Sequence, residues 1–170
     1  MINYILDHWI EEFTERLKDD TSDALKVSFI EKDPYQRDPV REAPYMHIGI
    51  GEKGVHPEGI SEIGGSAWWI AHLTIKAAPK SQKNKERAYY LVDLLGQRIL
   101  WVLRNESLTV VNAPQGTGRL FNRDRGVIEK IYPKVYGGEG EWLSYVEVEF
   151  FQRIREVGPS PYGAFPGDIE

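Results

Sequence analysis

The four histidines of this 170-residue chain are its most versatile chemical groups, because imidazole transfers protons near neutral pH and also binds metals. Only His47 and His56 lie close together in sequence, whereas His8 and His72 stand apart. The chain has no cysteine and no H-E-x-x-H pattern that would complete a zinc site. We therefore expect no metal site. An alternative is a small enzyme that uses His47, His56 or His72 with Glu58, and a deep polar pocket would be its mark.

Two glycine-rich segments and one carboxylate pair could also do chemistry, but each lacks the context that chemistry needs. Residues 49–54 spell G-x-G-x-x-G, yet Pro57 and Gly59 follow, so no long helix can begin there to meet a pyrophosphate. Residues 116–119 lack the Gly-Lys-Ser/Thr of a phosphate-binding loop. Glu147 and Glu149 share one face of a predicted strand, which is typical of a solvated stripe. We expect no enzymatic activity and no cofactor.

Two short basic segments stand out on a chain whose net charge is −5, a balance that argues against a general nucleic-acid binder. The first lies within residues 76–87 and contains Lys80, Lys83 and Lys85, and the second contains Arg119, Arg123 and Arg125. Either these charges serve solubility alone, or they form docking loops for an acidic partner or a nucleic acid. The sequence leaves both interpretations open.

Hydrophobic periodicity predicts the elements that must position these side chains. Helices are expected at residues 2–17 and 84–104, the second capped by Asn84. Strands are expected at residues 25–30, 45–50, 66–77, 107–111, 127–136 and 142–157. Long loops are expected at 51–66, which holds five glycines, and at 112–126. The predicted fold class is α+β: one mostly antiparallel sheet with two helices packed on one face, a single domain over 1–157 and a Pro/Gly-rich C-terminal arm over 158–170.

The second predicted helix carries apolar residues on two opposite sides. One stripe, which includes Leu91, Leu95 and Ile99, is wide enough for a core, and Tyr90, Leu94 and Trp101 fall on the other side. The strand at 66–77 has tryptophans on both faces, Trp68 and Trp69. Because two helices cover only one face of a sheet, either the long loops or another subunit must cover the remaining apolar area. We expect a subunit interface at Tyr90, Leu94, Trp101 and Trp68.

In the order of its elements the chain resembles the tail terminators and related head–tail joining, or neck, proteins of tailed bacteriophages. The resemblance rests on the helix Ile2–Leu17, the strands with a loop at 51–66, the strand Trp68–Ala77, the helix Asn84–Arg104 and the closing strand pair that ends with Trp142–Arg155. It implies a virion protein, assembled in the host cytoplasm, that forms a hexameric ring. The ring would cap the tail tube, join it to the head connector or stopper protein and, in a contractile tail, hold the sheath. DNA would only pass through its lumen.

Three other functions remain open beside this resemblance and the histidine enzyme. One is a head completion or stopper protein at another position of the same virion, and another is a small binding module outside any virion. The third is a monomeric nucleic-acid-binding module that uses Lys80–Arg87, for which steep salt dependence would be the mark. No run of 18 apolar residues occurs and the N-terminus is amphipathic, so neither a membrane helix nor a signal peptide is expected.

Overall fold

A computed structural model describes residues 2–17, 30–32, 44–57, 69–105, 110–112, 119–122 and 127–157. These residues form two helices and seven strands, and they confirm the predicted α+β class. In chain order the elements are α1 (Ile2–Leu17), β1 (Ile30–Lys32), β2 (Tyr45–Pro57), β3 (Trp69–Ala78), α2 (Lys85–Asn105), β4 (Val110–Asn112), β5 (Arg119–Asn122), β6 (Val127–Gly138) and β7 (Glu141–Val157). The predicted C-terminal arm at 158–170 lies outside the described residues.

The seven strands that the structure describes belong to one sheet, and among them only β1 and β2 run parallel. The strand order is β1-β2-β3-β7, and β7 is the longest strand. One edge of β7 pairs with β3, and two strands, β6 and β5, share its other edge. The first part of β7 pairs with β6, and its last residues pair with β5, which in turn pairs with β4. The register of β7 therefore fixes the position of every other strand, either directly or through one or two intervening strands.

Successive side chains along each strand point to opposite faces of the sheet, and the core lies on one of these faces, which we call the inner face. Val146, Val148 and Phe150 of β7 are fully buried there, opposite Ala77, Ile75 and Leu73 of β3. Both helices cover this face. From α1, Trp9 packs edge-on against Phe150, with ring centroids 5.7 Å apart, and its indole N–H donates a 2.8 Å hydrogen bond to the buried amide oxygen of Gln152.

The second helix packs on the same face through a stripe of small and aliphatic side chains. Leu91, Leu95 and Ile99 are buried in the core. At Gly96 the helix comes so close to the sheet that an added Cβ would lie 3.2 Å from Ile131 and 3.5 Å from Val146. As predicted, Asn84 caps the helix: its side-chain oxygen accepts a 3.1 Å hydrogen bond from the amide of Arg87.

The loop predicted at 51–66 is wrong over 51–57, because β2 continues to Pro57. After Ile50 the pairing with β3 shifts and resumes at Val55, and within this irregularity Gly54 adopts a φ of 63°. A glycine in the left-handed region is what lets a strand absorb extra residues and keep pairing. Residues 58–66 lie outside the described residues.

The loop predicted at 112–126 is also wrong in part, because residues 119–122 form β5 between β4 and the end of β7. The closing strand pair is confirmed as a hairpin between β6 and β7. Its turn residues Glu139 and Gly140 both have positive φ, 51° and 82°, the backbone twist that tight two-residue hairpins favour. Pro133 lies on β6, whose only strand partner among the described residues is β7, in accord with its predicted edge position.

Truncation of the core stripe of α2 should destabilise the subunit. Leu95→Ala is expected to lower the free energy of unfolding by about 2–5 kcal/mol, because Leu95 is fully buried and the cavity can close only partly. Urea unfolding of the isolated chain measures this loss. Gln97→Ala, on the exposed side of the same helix, is the matched control and should change stability by only about 0.5 kcal/mol or less.

Candidate functional site

The outward side of α2 exposes three large aromatic side chains. Tyr89, Tyr90 and Trp101 are 52%, 55% and 54% exposed, and we call these three residues the helix surface. Of the predicted interface, Tyr90 and Trp101 thus point away from the sheet, whereas Leu94 is half-buried and packs against the core. Trp68 lies outside the described residues. Because Trp101 is half exposed, α2 is not buried on all sides within one subunit.

Cationic and polar side chains surround these aromatics. The guanidinium of Arg87 lies 5.1 Å from the ring centre of Tyr90, and that of Arg16, at the end of α1, lies 6.0 Å from the ring centre of Trp101. Between the two rings, Gln97 donates a 2.8 Å hydrogen bond to Asp93 one turn earlier. Aromatic residues and arginine are both enriched at protein interfaces.

A second aromatic surface lies on the opposite side of the molecule, on the sheet face away from the helices. Tyr132 and Tyr136 of β6 point to this outer face, in register with the outward Glu147 and Leu143 of β7. Tyr132 is 52% exposed, and Tyr136 packs edge-on against Tyr145 at 6.2 Å between ring centroids. We call Tyr132, Tyr136, Leu143 and Tyr145 the sheet surface.

The two predicted docking segments are separated by the length of β7. The loop before α2 is tied to the start of β7 by paired backbone hydrogen bonds between Gln82 and Trp142, of 2.9 and 2.6 Å. Lys80 and Lys83 are exposed on this loop, and Lys85, in the first turn of α2, places its ammonium 5.2 Å from the ring centre of Trp142.

The second segment meets the opposite end of that strand. Arg119 lies on strand β5 rather than in the predicted loop, and its backbone pairs with Val157. At about 3.3 Å per residue, the 15 residue steps from Trp142 to Val157 separate the two basic segments by about 50 Å along the strand. Arg123 and Arg125 lie outside the described residues.

On the outer face, β2, β3 and β6 bring together a polar cluster that the sequence did not reveal. The Nε2 atoms of His56 and His72 lie 3.1 Å apart, and Nδ1 of His72 lies 3.0 Å from Oε2 of Glu129. The other oxygen of Glu129 accepts a 2.8 Å hydrogen bond from the ammonium of Lys53. Sequence reasoning offered Glu58 as the partner of these histidines, but Glu58 lies outside the described residues and Glu129 occupies that role.

The cluster borders a small cavity of about 60 Å³. Its lining is Gly51, Glu52, Lys53, His72, Thr74, Glu129 and Glu149. A cavity of this size holds only a few waters, whereas a deep polar pocket was expected of a histidine enzyme. His47 does not join the cluster, since it is buried beside the ring of Tyr45 at 4.8 Å between centroids. Among the described residues, no three His, Asp or Glu side chains converge to hold a metal ion.

Charge pairing in the cluster shifts two pKa values in opposite directions. Partial burial raises the pKa of Glu129, but the hydrogen bonds from Lys53 and His72 outweigh it and leave the pKa below its ordinary 4.5. The hydrogen bond to Glu129 raises the pKa of Lys53 above its ordinary 10.5. Both shifts favour the charged forms, so an ion pair links β2 to β6 across the two intervening strands, β3 and β7, over the neutral pH range.

Comparison with known proteins adds no relative. No protein-family model matches the chain, and a search of curated proteins gives no match. Neither helix that the structure describes is long and apolar enough to cross a membrane.

Acid should remove the stability that Glu129 supplies. Its pKa is lower in the folded chain, so its contribution is present above the ordinary value of 4.5 and is lost as the pH falls through the lowered value. Urea unfolding at a series of pH values from neutral downward measures this loss. Glu129→Gln should show a smaller fall in stability over that acid range than the wild-type chain. Equal acid sensitivity of the two chains would contradict the assignment.

Proposed function

We propose that this protein is a phage tail terminator, a virion structural protein whose copies join into a hexameric ring that caps the tail tube and links it to the head connector. The observation that carries the proposal is the pair of aromatic surfaces on opposite sides of the subunit. The order of elements, which resembles that of the tail-terminator family, supports it and suggests the ring number.

A closed ring needs a head-to-tail contact between two different surfaces of each subunit. The helix surface lies on the solvent side of the helical layer, and the sheet surface lies on the sheet face opposite the helices. If the helix surface of one subunit packs on the sheet surface of the next, both surfaces are covered. Each subunit then contacts one neighbour through its helix surface and another through its sheet surface. Contact between two copies of the same surface would stop at a dimer.

Edge protection on β6 favours this face-to-face packing over strand addition. Pro133 has no N–H to donate, and the neighbouring Lys130 and Lys134 place charges along the same strand. Proline and lysine on an edge strand oppose its pairing with a further strand. The side chains of the sheet surface, rather than the backbone edge, are therefore the part of β6 available to a neighbour.

The two basic segments give the proposed ring a partner-binding site at each end of β7. Lys80, Lys83 and Lys85 lie near its beginning and Arg119 near its end, about 50 Å apart along the strand by the rise of about 3.3 Å per residue. A joining ring meets different partners on its two faces: the tail tube on one and the connector, stopper or sheath on the other. The separation of the segments suits that arrangement.

Trp101→Ala should weaken assembly and spare the fold. A tryptophan at the centre of an interface is typically an energetic anchor, so the loss should be about 2 kcal/mol or more per contact, or roughly 30-fold in affinity. Native mass spectrometry and negative-stain imaging of the protein with tail tubes measure ring formation, and thermal unfolding measures the fold. Gln97→Ala, between the aromatic rings, is the matched surface control and should assemble normally.

If Trp101→Ala unfolds the chain as severely as Leu95→Ala, the helix surface is part of the core and loses its role as an interface. A terminator should bind tail tubes as a six-chain ring, whereas binding to the portal instead of the tube would favour a head completion or stopper protein. Monomers that bind duplex DNA with steep salt dependence would favour the nucleic-acid-binding module.

A further inference from the structure

The two histidines on the outer face hold their reactive nitrogens toward each other. His56 of β2 and His72 of β3 lie on paired strands, and 3.1 Å separates their Nε2 atoms. Their rings are inclined by only 25°, with centroids 5.2 Å apart. If both Nε2 atoms carried a proton, the two hydrogens would point at each other and repel at this separation. At least one Nε2 therefore presents a lone pair to the space between the rings.

Glu129 determines which nitrogen of His72 carries that lone pair. Its Oε2 lies 3.0 Å from Nδ1 of His72, and a carboxylate accepts a hydrogen bond, so Nδ1 bears the proton and Nε2 of the neutral ring is left as a lone pair. A carboxylate on the remote nitrogen of a histidine is the arrangement that orients metal-binding imidazoles and makes them more basic. Lys53 donates to the other oxygen of Glu129, so each oxygen of this carboxylate already accepts one hydrogen bond.

The distance between the nitrogens suits a shared metal ion. Zinc–imidazole bonds of about 2.0–2.1 Å, at ligand angles of about 90–110°, place two nitrogens roughly 2.9–3.4 Å apart. The observed 3.1 Å lies within this range. The rings must turn modestly for both lone pairs to converge on one ion. His56 is exposed and its Nδ1 makes only a long 3.3 Å contact with the carbonyl of Pro57, so its ring can turn, whereas Glu129 holds His72 in place.

We propose that His56 and His72 bind one divalent transition-metal ion through their Nε2 atoms, with Glu129 as the residue that positions His72. Because no third His, Asp or Glu among the described residues converges on this point, water completes the coordination shell. Imidazole ligands select Zn²⁺, Ni²⁺ and Cu²⁺, whereas Mg²⁺ and Ca²⁺ prefer oxygen. This proposal revises the expectation from sequence that no metal site is present, and it is independent of ring formation.

Calorimetric titration of the untagged protein with chloride salts of the individual metals at neutral pH tests the site. We expect one saturable ion per chain, bound more tightly for Cu²⁺ than for Ni²⁺ or Zn²⁺, and more weakly for Mn²⁺. Electron paramagnetic resonance of the Cu²⁺ form should show two coordinating nitrogens. His56→Ala and His72→Gln should each weaken binding at least tenfold, and Glu129→Ala by about 10–100-fold.

Two further variants serve as controls. His8→Ala removes a histidine on α1, and Glu149→Gln removes a carboxylate that lines the adjacent cavity, so both should bind metal as the wild type does. Thermal unfolding of each apo variant shows that the fold is retained, and exposed His56 is the least disruptive position. The proposal is overturned if no metal saturates the wild-type chain or if His56→Ala binds unchanged. Binding of Mg²⁺ that depends on Glu149 would also overturn it, since oxygen atoms would then form the site.

Discussion

The strict alternation of side chains along β7 is the constraint on which the rest of the structure depends. Val146, Val148 and Phe150 face the two helices, and Glu147 and Glu149 face the other way. A register slip of one residue would put the carboxylates into the core and the aliphatic side chains into solvent, a change that neither helix could accommodate. Because β7 also pairs with β3, β5 and β6, this one strand sets the positions of both the core and the outer face.

Elements with strong local patterns could be predicted from the sequence. The period of the apolar residues in α1 and α2, the Asn84 cap and the turn before β7 are each encoded within a few neighbouring residues. The errors arose where tertiary pairing overrides composition. Glycines around Gly54 are typical of a loop, yet a bulge lets β2 continue alongside β3. The short β5 has too few residues to show a period and is a strand only because β4 and β7 flank it.

The candidate sites likewise differ in how far the local sequence could predict them. The outward positions of Tyr90 and Trp101 follow from helical geometry alone, whereas the half-burial of Leu94 depends on how α2 sits on the sheet. His72 and Glu129 are 57 residues apart in sequence, so no motif could join them. The register irregularity between Ile128 and Lys130 places Glu129 beside His72, and such an irregularity leaves no signature in composition. For the sheet surface, the sequence predicted only that some apolar area must be covered by the long loops or by another subunit.

Site-directed crosslinking tests most directly whether the helix surface of one subunit packs on the sheet surface of the next. The chain has no cysteine, so Tyr89→Cys with Tyr132→Cys introduces one thiol on each surface without competing thiols. With a short bismaleimide on tail tubes, we expect the double variant to give a covalent ladder that extends to six chains, while either single-cysteine variant stays uncrosslinked. Covalent dimers from Tyr89→Cys alone, or no crosslinks from the double variant in assembled particles, would contradict a head-to-tail contact between these surfaces.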